Sequence, residues 1–286
     1  REAASKYNKD KAFDTFKKRI GNRKEIEKTS HHGFRLSMLW RYAAIIAVIL
    51  AVGCFSYWQG GVNVKDTFAD ISVEAPLGSR TKLYLPDGTL VWLNAGSRMT
   101  YSQGFGVDNR MIELEGEGYF EVRRNEKLPF FVKTKDLQLQ VLGTKFNFRD
   151  YPEDHEVVVS LLEGKVELNN EKEAILAPDE RAILNKTNGR MTVETVTASN
   201  ASQWTDGYLF FDEELLPDIV KELERSYNVT IRIANDSLNT FRFYGNFVRR
   251  EQSIQEVLDA LASTEKIQYK IEERNITCLL YTSDAA

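Results

Sequence analysis

The stretch RTKLYLPDGTLVWL, residues 80–93, holds two short runs of alternating polar and apolar residues around a Pro-Asp-Gly triplet. Pro86 presets its own φ for a turn, and Gly88 tolerates the positive φ that such turns use. Alternation with a period of two residues is typical of a strand that buries one face. The stretch therefore predicts a strand, a tight turn and a second strand.

The same pattern continues along the chain from Ile71 to about Val196. Short apolar runs punctuated by Gly, Asn, Asp or Pro predict further strands at Met111–Leu114, Gly118–Arg123, Phe130–Thr134, Leu137–Leu142, Lys145–Tyr151, Val157–Leu162 and Lys165–Leu168. Many short strands, with turn signals at intervals of about 8–12 residues, indicate an all-β sandwich or a solenoid-like unit. We place this all-β domain at residues 75–199.

A third pattern defines a smaller C-terminal α+β module at residues 200–277. An amphipathic helix is predicted at Glu213–Tyr227, and a second helix opens at Ser253, which has Glu256 at the reciprocal position of a capping box. Apolar runs predict the strands of this module at residues 207–211, 229–233, 241–247 and 267–271, with one more beginning at Ile276. The order is βαβ followed by βαβ, which is enough for a two-layer core.

An uncharged segment, YAAIIAVILAVGCFSYWQGGVNV at residues 42–64, precedes these domains. As a helix, Trp40–Trp58 is roughly 28 Å long at about 1.5 Å per residue, which matches a hydrocarbon core of about 30 Å. Aromatic residues at both ends suit the headgroup region. A signal peptide is the alternative, but its apolar part is shorter and lies nearer the N-terminus. We predict a retained transmembrane helix at residues 41–59 and a linker at residues 60–74.

The charges on the two sides of this segment differ in sign. Residues 1–41 contain twelve Lys or Arg against five Asp or Glu, whereas residues 65–286 contain 26 against 37. A basic flank marks the cytoplasmic side of a membrane helix, so the N-terminus is predicted to be cytoplasmic and the later domains to lie outside. The acidic outer part argues against nucleic-acid binding there.

The sequence also allows predictions about the two ends of the chain. Phe13, Phe16 and Ile20 predict an amphipathic helix from about Asp10 to Ile20, either the last helix of a truncated domain or a segment that docks into a partner's groove. Because the chain lacks an initiator Met, we expect the native start to lie upstream. Residues 278–286 resemble a translated sequencing adapter, and the alternative is a short frayed tail.

Motifs that carry chemistry are scarce. Gly-rich stretches lack the strand and helix context of a phosphate-binding loop, and no His or Cys set has the spacing of metal ligands. Glu113, Glu115 and Glu117 alternate on one face of a strand, where they could bind a cation or act in acid–base catalysis. A solvated strand face is the simpler interpretation. The sequence thus predicts a protein that is not an enzyme and uses no cofactor.

Five phrases occur in one order: LPDGTLVWLNAGS at 85–97, IELEGEGYFEV at 112–122, PFFV at 129–132, VLGTKFN at 141–147 and LEGKV at 162–166. Together they resemble the periplasmic domain of FecR-family anti-sigma factors. The part from Trp204 to Ile271 resembles the module that follows in the Bacteroidetes branch, which is similar to the short secretin/TonB N-terminal fold. The resemblance covers roughly residues 65–277.

This resemblance implies a relay in the bacterial inner membrane. Its cytoplasmic segment, residues 1–40 here, would hold an extracytoplasmic-function (ECF) sigma factor, and its periplasmic part would receive a signal from the N-terminal signalling domain of a TonB-dependent transporter. Membrane proteases would then release the sigma factor, with residues 61–74 as the hypothetical place of the first cut. The resemblance implies no direct contact with nucleic acid.

The resemblance to the FecR family also implies roles for individual residues. Phe13, Phe16 and Ile20 would belong to the last part of the sigma-binding region, most of which is missing from this chain. The motif residues are expected to serve turns and close backbone approaches rather than contacts with partners: Pro86, Asp87, Gly88, Gly116, Gly143 and Gly164, with Trp204 at the start of the C-terminal module.

Two alternatives from other classes stay open. The first is a membrane-anchored module that binds glycan or cell wall without a sigma partner, through aromatic residues such as Trp92, Tyr101, Tyr119 and Tyr208. The second is an anchored hydrolase that uses the carboxylates of residues 113, 115 and 117.

Overall fold

The computed structural model describes residues 9–21, 33–65, 70–169 and 174–281. The chain forms two compact units, Arg1–Thr67 and Phe68–Ala286. The first unit contains helix α1, Lys9–Gly21, and helix α2, Gly33–Lys65. Within α2, Trp40–Trp58 is the one stretch of the described helices that is long and apolar enough to cross a membrane, and none of it is buried. This finding fits a single-pass protein.

The linker is shorter than the sequence indicated. Helix α2 continues through Lys65, and the first strand begins at Ile71, so most of the predicted linker at residues 60–74 lies within a helix or a strand. The uncharged run after Trp58 contains no proline, and residues without proline can extend a helix that has already formed. Residues 66–69 lie outside the described part of the chain.

The second unit begins with an all-β domain, as predicted. Its strands are β1 Ile71–Ala75, β2 Thr81–Tyr84, β3 Leu90–Leu93, β4 Ser97–Tyr101, β5 Arg110–Glu121, β6 Phe130–Lys133, β7 Gln138–Val141, β8 Lys145–Asp150, β9 Glu156–Glu163, β10 Val166–Asn169, β11 Ala174–Leu176, β12 Glu180–Asn185 and β13 Met191–Thr195. The hairpin β2–β3 forms at the predicted Pro-Asp-Gly turn, where the Gly88 amide donates to the Leu85 carbonyl at 2.9 Å.

Two sheets share the long strand β5. The first half of β5 pairs with β4 and β6, and β1, β7, β10 and β11 extend that sheet. Its second half pairs with β3 and β8, and β2, β9, β12 and β13 extend the other. The predicted strands Met111–Leu114 and Gly118–Arg123 are therefore one strand. Gly116, with φ +101°, lies where β5 passes from one sheet to the other.

One apolar core lies between the two sheets. The ring of Phe120, from the second half of β5, lies 6.3 Å from the ring of Phe130 in β6 and stacks at 5.0 Å on Phe146 in β8. All three side chains are fully buried. Aromatic rings at these separations add to the burial of apolar area, so the domain is a sandwich rather than a solenoid in this part.

The C-terminal module follows a 3-10 segment, Ala198–Asp206. Its elements are β14 Tyr208–Leu215, α3 Leu216–Tyr227, β15 Thr230–Ile233, β16 Arg242–Val248, α4 Ile254–Ala262, β17 Ile267–Glu272 and β18 Asn275–Leu280. The capping box of α4 forms as predicted: Ser253 Oγ accepts from the Glu256 amide, and a Glu256 carboxylate oxygen accepts from the Ser253 amide.

The element order agrees with the sequence, whereas the strand pairing could not be read from it. Strand β14 pairs with β16 in a two-stranded antiparallel sheet, and β15, β18 and β17 form a second sheet. Cys278 lies in β18 and is buried in the module's core. The prediction that residues 278–286 derive from an adapter stays a prediction.

Candidate functional site

Helix α3 of the C-terminal module docks onto the all-β domain through its last turn. The Arg225 guanidinium carbon lies 3.9 Å from the ring centroid of Tyr151, which follows β8. The Arg225 carbonyl accepts a hydrogen bond from the Gly78 amide at 2.8 Å. Only 6% of the Arg225 side chain is exposed. A guanidinium removed from water in this way needs carboxylate partners, because an unpaired buried charge is costly.

Those carboxylates come from both domains. Arg225 Nη1 lies 2.8 Å from Glu153 Oε1 and 3.4 Å from Asp154 Oδ1, and Arg225 Nη2 lies 3.2 Å from Glu222 Oε2. From the all-β domain, Arg149 Nε donates to Asp154 Oδ2 at 2.8 Å, and Arg149 Nη1 lies 4.0 Å from Glu222 Oε2. The network therefore crosses from one domain to the other.

The arginines determine which of these acids stay ionised. Burial by itself favours the neutral form of Asp154, but Arg149 and Arg225 hold its pKa below the usual value. Burial opposes ionisation of Glu222 as well, yet the same two guanidinium groups keep its pKa low. Both acids are thus charged at neutral pH and pair with the cations.

A further carboxylate, that of Glu117 in β5, is buried next to this network. Its two oxygens accept hydrogen bonds from Asn94 Nδ2 and Asn147 Nδ2, each at 2.8 Å. Asn147 Oδ1 in turn accepts from Trp204 Nε1 at 3.0 Å. Burial raises the pKa of Glu117, with Arg149 acting in the opposite direction. We call Glu117, Arg149, Asp154, Glu222 and Arg225 the interdomain seam.

Glu117 corrects the interpretation of three solvated carboxylates on one strand face. Glu113 and Glu115 are exposed, whereas Glu117 is buried because the segment Ala198–Asp206 and helix α3 cover that half of the sheet. Glu113 lies 3.9 Å from the Lys133 ammonium group. Neither exposed acid has the burial by which an active site tunes a carboxylic acid for proton transfer. Each Glu117 oxygen accepts a hydrogen bond from an asparagine in the interior, so Glu117 lies in a different environment from the two exposed acids.

The predicted turn residues lie around a buried arginine. Asp87, between Pro86 and Gly88, accepts hydrogen bonds from the Thr89 amide and hydroxyl, both at 2.9 Å. Its Oδ2 also lies 3.1 Å from Arg110 Nη1, and 1% of the Arg110 side chain is exposed. The Arg110 guanidinium donates further to three backbone carbonyls, those of Leu128, Arg123 and Asn125. The turn is therefore tied to the start of β5.

Three of the predicted glycines lie where a side chain would collide with the backbone or a neighbour. A β-carbon on Gly116 would lie 2.5 Å from Ser97 Oγ, and one on Gly143 would lie 2.7 Å from the Arg124 α-carbon. One on Gly164, where φ is +97°, would lie 2.9 Å from the Gly143 carbonyl oxygen. Each position allows a close approach that only glycine permits.

The residues predicted to contact a sigma factor share one exposed face of α1 in the N-terminal segment. Phe13, Phe16 and Ile20 are 64%, 61% and 50% exposed. A helix that shows such apolar residues to solvent has a free surface on which a partner could pack.

The aromatic residues of the glycan-binding alternative do not form one platform. Tyr101 packs against the apolar core at an edge-to-face distance of 5.4 Å from Phe105. Tyr119 is buried beside Trp92, and Trp92 is covered by the Lys82 ammonium group at 4.7 Å. Tyr208 is partly exposed in the other domain. In the described parts of the chain, no group of three or more His, Cys, Asp or Glu could hold a metal ion.

The chain matches the FecR protein family over residues 71–167 and the C-terminal FecR domain over residues 208–278. It is 34% identical to a protein of Parabacteroides distasonis assigned as an anti-sigma factor, whose crystal structure was solved at 1.65 Å. The match has a TM-score of 0.70 and covers 74% of this chain and 100% of that chain. A 2.50 Å structure with the same assignment, also from Parabacteroides distasonis, gives 34% identity, a TM-score of 0.70 and coverage of 75% and 100%. Comparison with curated proteins gave no significant match. The chain belongs to the FecR family of anti-sigma factors.

Sequence reasoning missed the interdomain seam. Its members are separated by up to 108 positions, from residue 117 to residue 225, and each resembles an ordinary surface charge in its local context. One signal was available, because Arg225 follows Glu222 by three residues on the predicted helix, a spacing that places them side by side.

Proposed function

We propose that this protein is a single-pass regulator of the inner membrane that holds an ECF-type sigma factor in the cytoplasm. One observation carries the proposal: in the described part of this FecR-family chain, one helix is apolar and long enough to span a membrane, and it lies between a basic N-terminal segment and an acidic, compact β-rich unit. The charge asymmetry supports a cytoplasmic N-terminus and periplasmic domains. The exposed apolar face of α1 supports sigma contact through Phe13, Phe16 and Ile20.

The periplasmic unit would receive its signal from the N-terminal signalling domain of a TonB-dependent transporter. A partner can shift such a regulator only if it binds one arrangement of the outer domains better than another. The interdomain seam supports this step, because its charges come from both domains and separating them would leave buried ions unpaired. Proteolysis near residues 61–74 would then release the sigma factor. The protein acts by binding in this proposal and not as an enzyme.

Sigma binding is tested by co-purification from membranes. The chain, extended to its native start if the gene encodes residues before Arg1, is co-expressed with the ECF sigma factor encoded nearest to it. We expect the sigma factor to co-purify, and we expect Phe16→Asp to reduce the yield at least about tenfold by placing a charge in an apolar contact. Lys18→Asp is the matched control on the opposite face of α1 and is expected to bind nearly normally.

Recovery of no sigma factor with the native N-terminus would overturn the proposal and favour the membrane-anchored binding module. The orientation has its own test, in which alkaline phosphatase is fused after residue 281. Phosphatase folds only outside the cytoplasm, so an active fusion supports a periplasmic unit and an inactive, stable fusion contradicts it.

A further inference from the structure

Two arginine side chains, those of Arg80 and Arg250, lie beside Gly207 close to the interdomain seam, and the charge of Arg249 is near enough to act on that of Arg80. A β-carbon built on Gly207 would lie 3.8 Å from Arg80 Nη1 and 3.9 Å from Arg250 Nε. The Gly207 carbonyl accepts from the Arg249 amide at 2.8 Å, which fixes the turn that carries Arg249 and Arg250. Arg80 comes from the all-β domain, and the other two come from the C-terminal module. We call these three residues the arginine cluster.

The cluster lacks the partners that the seam arginines have. Among the described residues, no carboxylate oxygen lies within 4.0 Å of any of its three guanidinium groups. Arg80 Nε donates to Asn94 Oδ1 at 3.3 Å, and Arg249 Nε donates to the Ser226 carbonyl at 2.9 Å. Arg250 is exposed and makes no hydrogen bond to the described protein. Several N–H donors therefore remain for a ligand, since a guanidinium has five.

The surrounding charges leave a positive excess. Burial lowers the pKa of Arg80, and Arg249 and Arg250 lower it further, while Glu222 and Glu117 act in the opposite direction. Glu222 already pairs with Arg225, and Glu117 already accepts hydrogen bonds from Asn94 and Asn147. This excess is unusual here, because residues 65–286 carry eleven more acidic than basic side chains (37 against 26).

We propose that the arginine cluster is a binding site for an oxyanion, a carboxylate or a phosphate group. Arginine matches both groups because its planar fork can donate two parallel hydrogen bonds. An anion bound there contacts both domains and stabilises their docked arrangement. Its source is either a small free anion or the Asp and Glu side chains of an acidic peptide segment. The proposal stands whether or not the protein binds a sigma factor.

The test titrates the full chain in detergent at low ionic strength with three probes and follows binding by calorimetry. The probes are inorganic phosphate, citrate, and a blocked hexapeptide of alternating Asp and Glu, with the Asn/Gln hexapeptide as its neutral counterpart. We expect saturable binding that weakens as salt is added, since exposed charges are screened. Binding of phosphate or citrate alone identifies a free anion as the source, whereas tighter binding of the acidic peptide identifies a peptide segment.

Variants assign the binding to the cluster. Arg250→Gln removes an exposed cation that makes no hydrogen bond or ion pair with the described residues, and Arg80→Gln removes the partly buried cation. Each is expected to weaken the best probe at least about tenfold, the loss of one or two charge-assisted hydrogen bonds. Arg190→Gln, an exposed arginine of the all-β domain, is the control for the change in net charge. Failure of all three probes to bind, or equal affinity in Arg250→Gln and wild type, would overturn the proposal.

Discussion

At the scale of single residues, Gly116 shows how one missing side chain shapes the all-β domain. Its φ is +101°, and Ser97 occupies the space that a β-carbon would need. Strand β5 can pass from one sheet to the other at this point because the backbone of β4 approaches it directly. The same position was expected from the sequence to be architectural, and the geometry gives the physical reason.

We expect Gly116→Ala to lower the free energy of unfolding by about 2–5 kcal/mol. A left-handed φ costs a β-substituted residue about 1–2 kcal/mol, and forcing a methyl group against Ser97 adds about 1–3 kcal/mol. Urea unfolding followed by tryptophan fluorescence measures the change. Gly189→Ala is the control, since Gly189 also has a positive φ but open space around it. Equal effects of the two substitutions would show that packing at Gly116 contributes nothing.

At the scale of elements, helix α3 joins the all-β domain to the C-terminal module. Its apolar face packs in the core of the C-terminal module, and its last turn carries Arg225 into contact with Tyr151. The helix therefore has two structural roles, and only the first can be recognised from its sequence. The apolar stripe has a recognisable helical period, whereas the contact with the other domain depends on residues 71 or more positions away.

Arg225→Gln is expected to destabilise the unit by about 3 kcal/mol, the lower end of the cost of breaking a buried ion pair, because Asp154 and Glu222 lose one of their two shared cations and keep Arg149. The loss should appear as earlier unfolding of the C-terminal module in urea, reported by Trp204. Arg232→Gln, an exposed position on β15, is the matched control and should change stability by less than about 0.5 kcal/mol. A loss no larger than that of the control would mean that the seam does not hold the domains together.

The elements also show how far sequence reasoning reaches. The hairpin at residues 80–93 and the capping box at Ser253 are local, so turn chemistry and spacing predict them correctly. The continuity of β5 was missed because Gly116 and Gly118 read as an interruption. The burial of Glu117 and the pairing of β14 with β16 depend on segments distant in sequence. The local sequence around Glu117 does not indicate that the C-terminal module will cover this face of the sheet.

At the scale of the whole molecule, the charges of the seam make stability depend on pH. The pKa values of Asp154 and Glu222 are lower in the folded state than in the unfolded chain. Their contribution is therefore complete above the unfolded values, about pH 4, and is lost as the pH falls through the folded values. Glu117 acts with the opposite sign, since its raised pKa makes ionisation unfavourable as the pH rises above about 4.3.

We expect the urea midpoint to fall as the pH drops below about 4, and we expect Asp154→Asn to flatten part of that fall. The substitution should also lower stability at neutral pH, because Arg149 and Arg225 lose a charged partner. Asp236→Asn, at an exposed aspartate, is the control and should keep the wild-type pH profile. A parallel profile in Asp154→Asn would contradict the assignment of acid sensitivity to the seam.

The strand shared by both sheets has a consequence for how the domain opens. Because the two halves of β5 pair in different sheets, displacement of the whole strand breaks hydrogen bonds in both sheets. Amide hydrogens of Ile112, in its first half, and of Phe120, in its second half, should therefore exchange with solvent deuterium through the same opening reaction. Their protection factors should fall together as denaturant is added. An all-β domain built in this way is expected to open as one cooperative unit, so that a disturbance of β5 is felt in both sheets.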